Sequence, residues 1–230
     1  MQPTPPFIAC RISDNLPEDV SLLSATLQAG SKTSQAAEAG RLITEASCDL
    51  IDSFFGNMIR HMLETTGDPG FREAHEVIEE VKAKLRHYLG WVTSFFSNER
   101  LAPVVLHYQG LLVRMGTVEG EQAHLAFAIS PGLAREAEAA LTNLRDPARA
   151  DIKSGVEVLI RVIEEALEPL LYVPKQRMKF NFVVDKTLNG VIAVTNALVF
   201  RSFRKLGTQL PPKLFPAVAD HLESFLHAPR

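Results

Sequence analysis

The chain is poor in the residues that build covalent or metal-held frameworks. Its 230 residues include two cysteines, Cys10 and Cys48, too few for a disulfide framework or a zinc cage. It lacks a Gly-x-x-x-x-Gly-Lys phosphate loop, a Gly-x-Gly-x-x-Gly turn and a Gly-x-Ser-x-Gly nucleophile elbow, so no nucleotide or acyl-transfer motif is evident. It lacks eighteen uninterrupted apolar residues, which argues against a spanning helix. The first residues, Met1-Gln2-Pro3-Thr4-Pro5-Pro6-Phe7, have neither a basic start nor a long apolar run, so a secretory signal is not expected and the default compartment is the cytoplasm. Charge of one sign is also missing, the net being -3.

What is present is an ordinary globular composition, 46% hydrophobic and 22% charged, which excludes wholesale disorder. A chain of this length buries roughly 70% of its unfolded surface without staples. The dominant period is helical. Leu42, Ile43, Ala46, Leu50, Ile51, Phe54, Met58 and Met62 recur at steps of three and four and predict a helix over 34–66, with a bend near Gly40 or Gly56. Val77, Val81, Leu85, Leu89, Val92 and Phe96 predict a second helix over 71–97, with Glu80 and Lys84 paired on its outer face. The short loop between them makes an antiparallel hairpin.

Shorter helices are expected over 16–29, from Pro103 to about Gly116, over 131–144 with a stop at Asp146-Pro147, over 151–171 with Val156, Leu159, Ile160, Ile163 and Leu167 inward, and over 214–226. A long apolar helix is expected over 176–206. Residues 111–115 and 124–129 fit either a hairpin around Val118-Glu119-Gly120-Glu121 or helix, and the helical surroundings favour helix. The expected fold is therefore all-α: one bundle of seven or eight helices, with the long hairpin and a central apolar C-terminal helix. Residues 1–12 are expected as a loose arm and 13–230 as a single domain. The alternative is a split near residue 117 into two helical units.

One segment stands out. Between Val173 and Lys213 there are eight basic residues against Asp185 alone, leaving 16 basic against 26 acidic in the rest of the chain. The charges flank the apolar run Val191–Phe200. Read structurally, this is a core helix whose Arg201, Arg204 and Lys205 complement its dipole. Read functionally, its polar stripe of Asp185, Asn189, Asn196 and Arg204 lines a ligand site or interface, with Phe200, Arg201, Phe203 and Lys205 beside it. Nucleic acid is disfavoured, because about 20 helical residues, roughly 30 Å, separate the two basic groups.

Catalytic and metal signals are weak. Glu121-x-x-His124 matches a helical metal-ligand pair, but a di-iron bundle needs a second copy, which is absent. His75, His87 and His107 read as surface or satisfied interior histidines. His, Asp and Ser are all available for a spatially assembled site, and nothing in their spacing argues for one. The expectation is a non-enzymatic helical interaction or scaffold module, without cofactor or metal, self-associating or bound to a protein partner. The alternative is a binder of an apolar ligand or anionic membrane surface through 175–206.

Overall fold

The computed structural model describes residues 5–117, 120–146 and 149–227. The chain is mostly helical, but it is not all-α. A four-stranded antiparallel sheet of order β2-β3-β1-β4 runs through it. The strands are β1 (Phe7–Arg11), β2 (Leu112–Thr117), β3 (Gly120–Ala128) and β4 (Leu226–His227). The 111–129 region is thus a hairpin rather than helix. The signal was a short period-2 alternation: Ala123, Leu125 and Phe127 are buried and their neighbours are not. Val118 and Glu119, at the expected turn, lie outside the described residues, as does Pro147.

The N-terminal stretch is likewise more than a loose arm, although residues 1–4 lie outside the described residues. Phe7 to Arg11 pair with Ala128 to His124, and Ile8, Ala9 and Cys10 are buried. Pairing with β3 on one side and β4 on the other satisfies backbone groups that a solvated arm would leave to water.

The helices are α1 (Leu16–Gln28), α2 (Ala36–Ile51), α3 (Asn57–Thr66), α4 (Pro69–Thr93), α5 (Asn98–Gln109), α6 (Pro131–Leu144), α7 (Ile152–Leu167), α8 (Val173–Met178), α9 (Phe182–Gln209) and α10 (Phe215–Glu223). Capping follows local chemistry: Asp68, Ser130, Asp151 and Asn181 each accept a backbone N–H in the first turn of α4, α6, α7 and α9. Pro103, expected at a helix start, lies inside α5, which begins five residues earlier.

The expected helix over 34–66 is broken by a π turn, Asp52–Gly56, between α2 and α3. The extra residue per turn brings both Phe54 and Phe55 to the interior side. Phe54 stacks on Phe225 and Phe55 packs at a tilt on Phe203, with ring centroids 4.7 and 4.5 Å apart. His221 of α10 donates from Nε2 to the Phe54 carbonyl at 3.1 Å. The turn is held from across the helix pair by Lys82 of α4. That residue is buried, and its ammonium donates to both Asp52 carboxylate oxygens at 2.8 Å and to Glu79 at 2.9 Å.

The largest correction concerns the C-terminal apolar helix. It is two helices, α8 and α9, separated where Lys179 adopts φ 48°. Nor is it central, since only Gly207 of α9 is buried. α9 lies antiparallel along α4, from a Phe180–Phe96 ring contact at one end to a Lys205–Glu73 ion pair at the other. It also packs on α7, where Gly207 permits close approach: a Cβ there would sit 2.6 Å from Val156 Cγ2.

Candidate functional site: an apolar cavity beneath α9

The interior between α2, α4, α7, α9 and the sheet is not filled by side chains. A cavity of about 340 Å³ lies there, and a second of about 110 Å³ adjoins it. Phe54, Phe55, Ile59, Val162, Phe203 and Leu206 line both, so the aromatic pair of the π turn stands at the division. Cys10, Leu125 and Phe127 form the sheet side of the larger cavity, and Val77, Val81, Leu85 and Leu89 form the α4 wall. The inward faces expected of the 71–97 and 151–171 helices are therefore real, but much of each faces a void rather than a close-packed core.

Polar atoms in the wall are few: Ser47, Tyr88, Tyr108, Thr195, Asn196 and Ser202, with the charged groups Lys84 and Lys175. Lys84 pairs at 2.7 Å with Glu80, whose side chain is exposed, so it marks a place where the wall meets water. Lys175 pairs with Asp185. Burial pushes the Cys10 thiol up to about 12, which keeps it protonated and unreactive at neutral pH. The Cys48 thiol is raised for the same reason.

One end of the cavity is closed by a substitution of hydrogen-bond donors. The π turn Glu168–Tyr172 after α7 is followed by Pro174, which has no N–H to offer the carbonyls of the preceding turn. Two neighbours on α5 stand in. His107 Nε2 donates to the Pro169 carbonyl at 2.7 Å, and Tyr108 donates its hydroxyl to the Leu170 carbonyl at 2.6 Å. Burial raises the Tyr108 phenol far above its ordinary range, so it stays a donor.

The residues singled out from the sequence do not form one stripe. Asp185 accepts from Asn189 Nδ2 at 3.0 Å and pairs with Lys175 at the N-terminal end of α9. Arg204 makes a two-pronged pair with Glu157 of α7 at 2.7 and 3.0 Å, and Lys205 pairs with Glu73 of α4 at the other end. These cations bridge to neighbouring helices, beyond any role at the helix dipole. Asn196 and Phe203 line the cavity; Phe200 is half-buried and Arg201 exposed. Glu121 and His124 lie on β3, where residues three apart project to opposite faces, so they are not a joint ligand pair. Among the described residues no group of three or more His, Cys, Asp or Glu is placed to hold a metal ion.

Sequence reasoning missed Lys82, Tyr108 and Phe55, and placed Phe54 on an inward helix face without its partners. By length and composition α9 is apolar enough to cross a membrane, one such helix among the described residues. Its three ion pairs and its cavity-lining face tie it to α4, α7 and α8. Comparison with protein-family models, curated proteins and solved structures finds no match.

Proposed function

We propose that the protein binds an elongated apolar molecule, such as an acyl or isoprenoid chain with at most one polar end, in the cavity beneath α9. The observation that carries this reading is the cavity itself. Its volume of about 340 Å³ falls within the roughly 300–1,000 Å³ of small-molecule sites. Protein interiors are otherwise close-packed. An apolar wall of this extent, left against water or empty space, forfeits the contacts that a close-packed interior keeps. An apolar occupant restores the missing contacts, and the sparse hydroxyl and amide groups of Thr195, Asn196 and Ser202 suit one polar end of it.

The test is native mass spectrometry of the purified protein, with organic extraction, followed by titration with a fluorescent polyene fatty acid. Ala166→Phe and Thr195→Phe put bulk into the void from two different walls. Each is expected to weaken uptake at least about tenfold while the melting temperature holds or rises, since filling a void adds packing. Absence of both a co-purified apolar compound and saturable uptake refutes the reading. So does uptake unchanged by both substitutions.

A further inference from the structure

We infer that the end of the molecule where α4 finishes and α9 begins is a docking face for an anionic lipid bilayer, through which the apolar ligand reaches the cavity. This rests on the ligand reading above and extends it to the ligand's source. Trp91, in the last turn of α4, and Phe95, just past its end, form an exposed edge-on pair with ring centroids 5.0 Å apart. Phe182 and Val183 open α9 with 78% and 70% of their surface in water. The Phe96–Phe180 contact, at 5.1 Å, holds the two helix ends together, so the four apolar side chains belong to one end of the molecule.

Charge is the second and independent observation. Residues 86–100 and 177–186 carry five Lys and Arg (Arg86, Arg100, Arg177, Lys179 and Lys186) against Glu99 and Asp185. Asp185 is already paired with Lys175. Lys186 sits over the Phe182 ring, 5.9 Å from its centroid, so cation and aromatic face outward together. Near the opposite end of the same helix pair, Arg204 and Lys205 are ion-paired with Glu157 and Glu73. An excess of cations at one end, interleaved with exposed aromatics, complements anionic headgroups above an apolar layer. The cavity continues to this end, because Leu85, Tyr88, Leu89, Phe180 and Leu188 all line it. That continuity favours a bilayer, a source of apolar ligand, over a protein partner.

The experiment is co-sedimentation of the full chain with vesicles of neutral phosphatidylcholine, with and without one-fifth phosphatidylserine, at low and high salt. Two variants sit on exposed side chains: Phe95→Ser/Phe182→Ser and Lys179→Glu/Lys186→Glu. Wild type should bind the anionic vesicles, more weakly at high salt. Each Lys or Arg at the surface contributes about fivefold, so the charge reversal should lower partitioning at least about 20-fold. The aromatic pair should lower it at least about tenfold. Solution titration with the fluorescent fatty acid reads the cavity alone: both variants should bind it as wild type does, yet take it from preloaded anionic vesicles at least about tenfold more slowly. No sedimentation at low salt overturns the proposal, as does sedimentation that neither variant reduces. A concentration-dependent dimer dissolved by the same variants, without vesicle binding, overturns it in favour of self-association. Vesicle binding lost in both variants, with no fatty-acid uptake by any form, supports the docking face and removes only the ligand reading.

Discussion

Replacing Tyr108 by Phe deletes one oxygen atom, and the structure says what that oxygen does. It is the donor to the Leu170 carbonyl, 2.6 Å away, in a turn whose own continuation is Pro174. Losing a hydrogen bond from a partly buried carbonyl costs about 1–3 kcal/mol. With Tyr108 and Leu170 half-buried and their bond 2.6 Å long, about 2 kcal/mol, the middle of that range, is the reasoned value. For a chain of this size that is roughly a 4–8 °C fall in Tm. Urea melts of four proteins separate this cause from a mere packing defect: wild type, Tyr108→Phe, Pro174→Ala and the double variant. Pro174→Ala restores an N–H to the turn. The cost of Tyr108→Phe should therefore shrink by at least about 1 kcal/mol when Pro174→Ala is already present. Costs that add within about 0.5 kcal/mol refute the reasoning, because independent sites add.

Three further outcomes follow from other braces of the cavity wall. Gly40→Ala places a Cβ against Thr93 Oγ1 where α2 crosses α4; it should destabilise by about 1–3 kcal/mol, and Thr93→Ala should recover most of that loss in thermal melts. Lys82→Met leaves the Asp52 and Glu79 carboxylates without their ammonium; since both are partly solvated, the expected cost is about 2 kcal/mol rather than the roughly 3–5 of a fully buried pair, and adding Asp52→Asn should restore part of it in urea melts. Burial lowers the His221 pKa, overcoming its bond to the Phe54 carbonyl. The unfolded chain then binds the proton first, so the contribution is complete above about pH 6.5 and is lost as pH falls through the lower folded value. His221→Gln should flatten the urea midpoint between about pH 7.5 and 5.5.

Much of the helical framework was legible because amphipathic periodicity reports which face avoids water. The α4 and α7 faces read from Val81, Leu85, Ile160 and Ile163 do turn inward. Periodicity does not report what lies inside, and an apolar wall looks the same against a packed core as against a void. The sheet was hidden for a different reason. β3 is rich in Ala and nine residues long, and β1 follows a proline-rich start, so neither carries the β-branched signature of a strand. The stand-in donors His107 and Tyr108 were not legible because their partners lie 62 residues away.

α9 shows why an apolar run can mislead. Val191, Ile192, Thr195, Asn196, Val199, Ser202 and Phe203 face the cavity, while Val194 on the other side is exposed. Both faces are apolar, so the helix imitates a core element although only Gly207 is buried. Its anchors lie at its ends: Lys175–Asp185 at one, and Arg204–Glu157, Lys205–Glu73 and the Gly207 contact at the other. Among the described residues, no ion pair and no fully buried side chain ties the stretch 186–200 to the body. Local opening is cheapest where buried contacts are fewest. Amide hydrogen exchange should therefore be faster across 188–200 than across α7 residues 158–162, which include three buried side chains. A saturating fatty acid, contacting Val191, Thr195 and Val199 from within, should slow exchange in 188–200 at least about tenfold and leave α1, which does not line the cavity, unchanged. Such slowing identifies the segment as the wall that opens for the ligand, since an occupant protects most strongly the state in which it is enclosed. Equal exchange in both helices without ligand, or protection spread evenly over the chain, would sink that assignment.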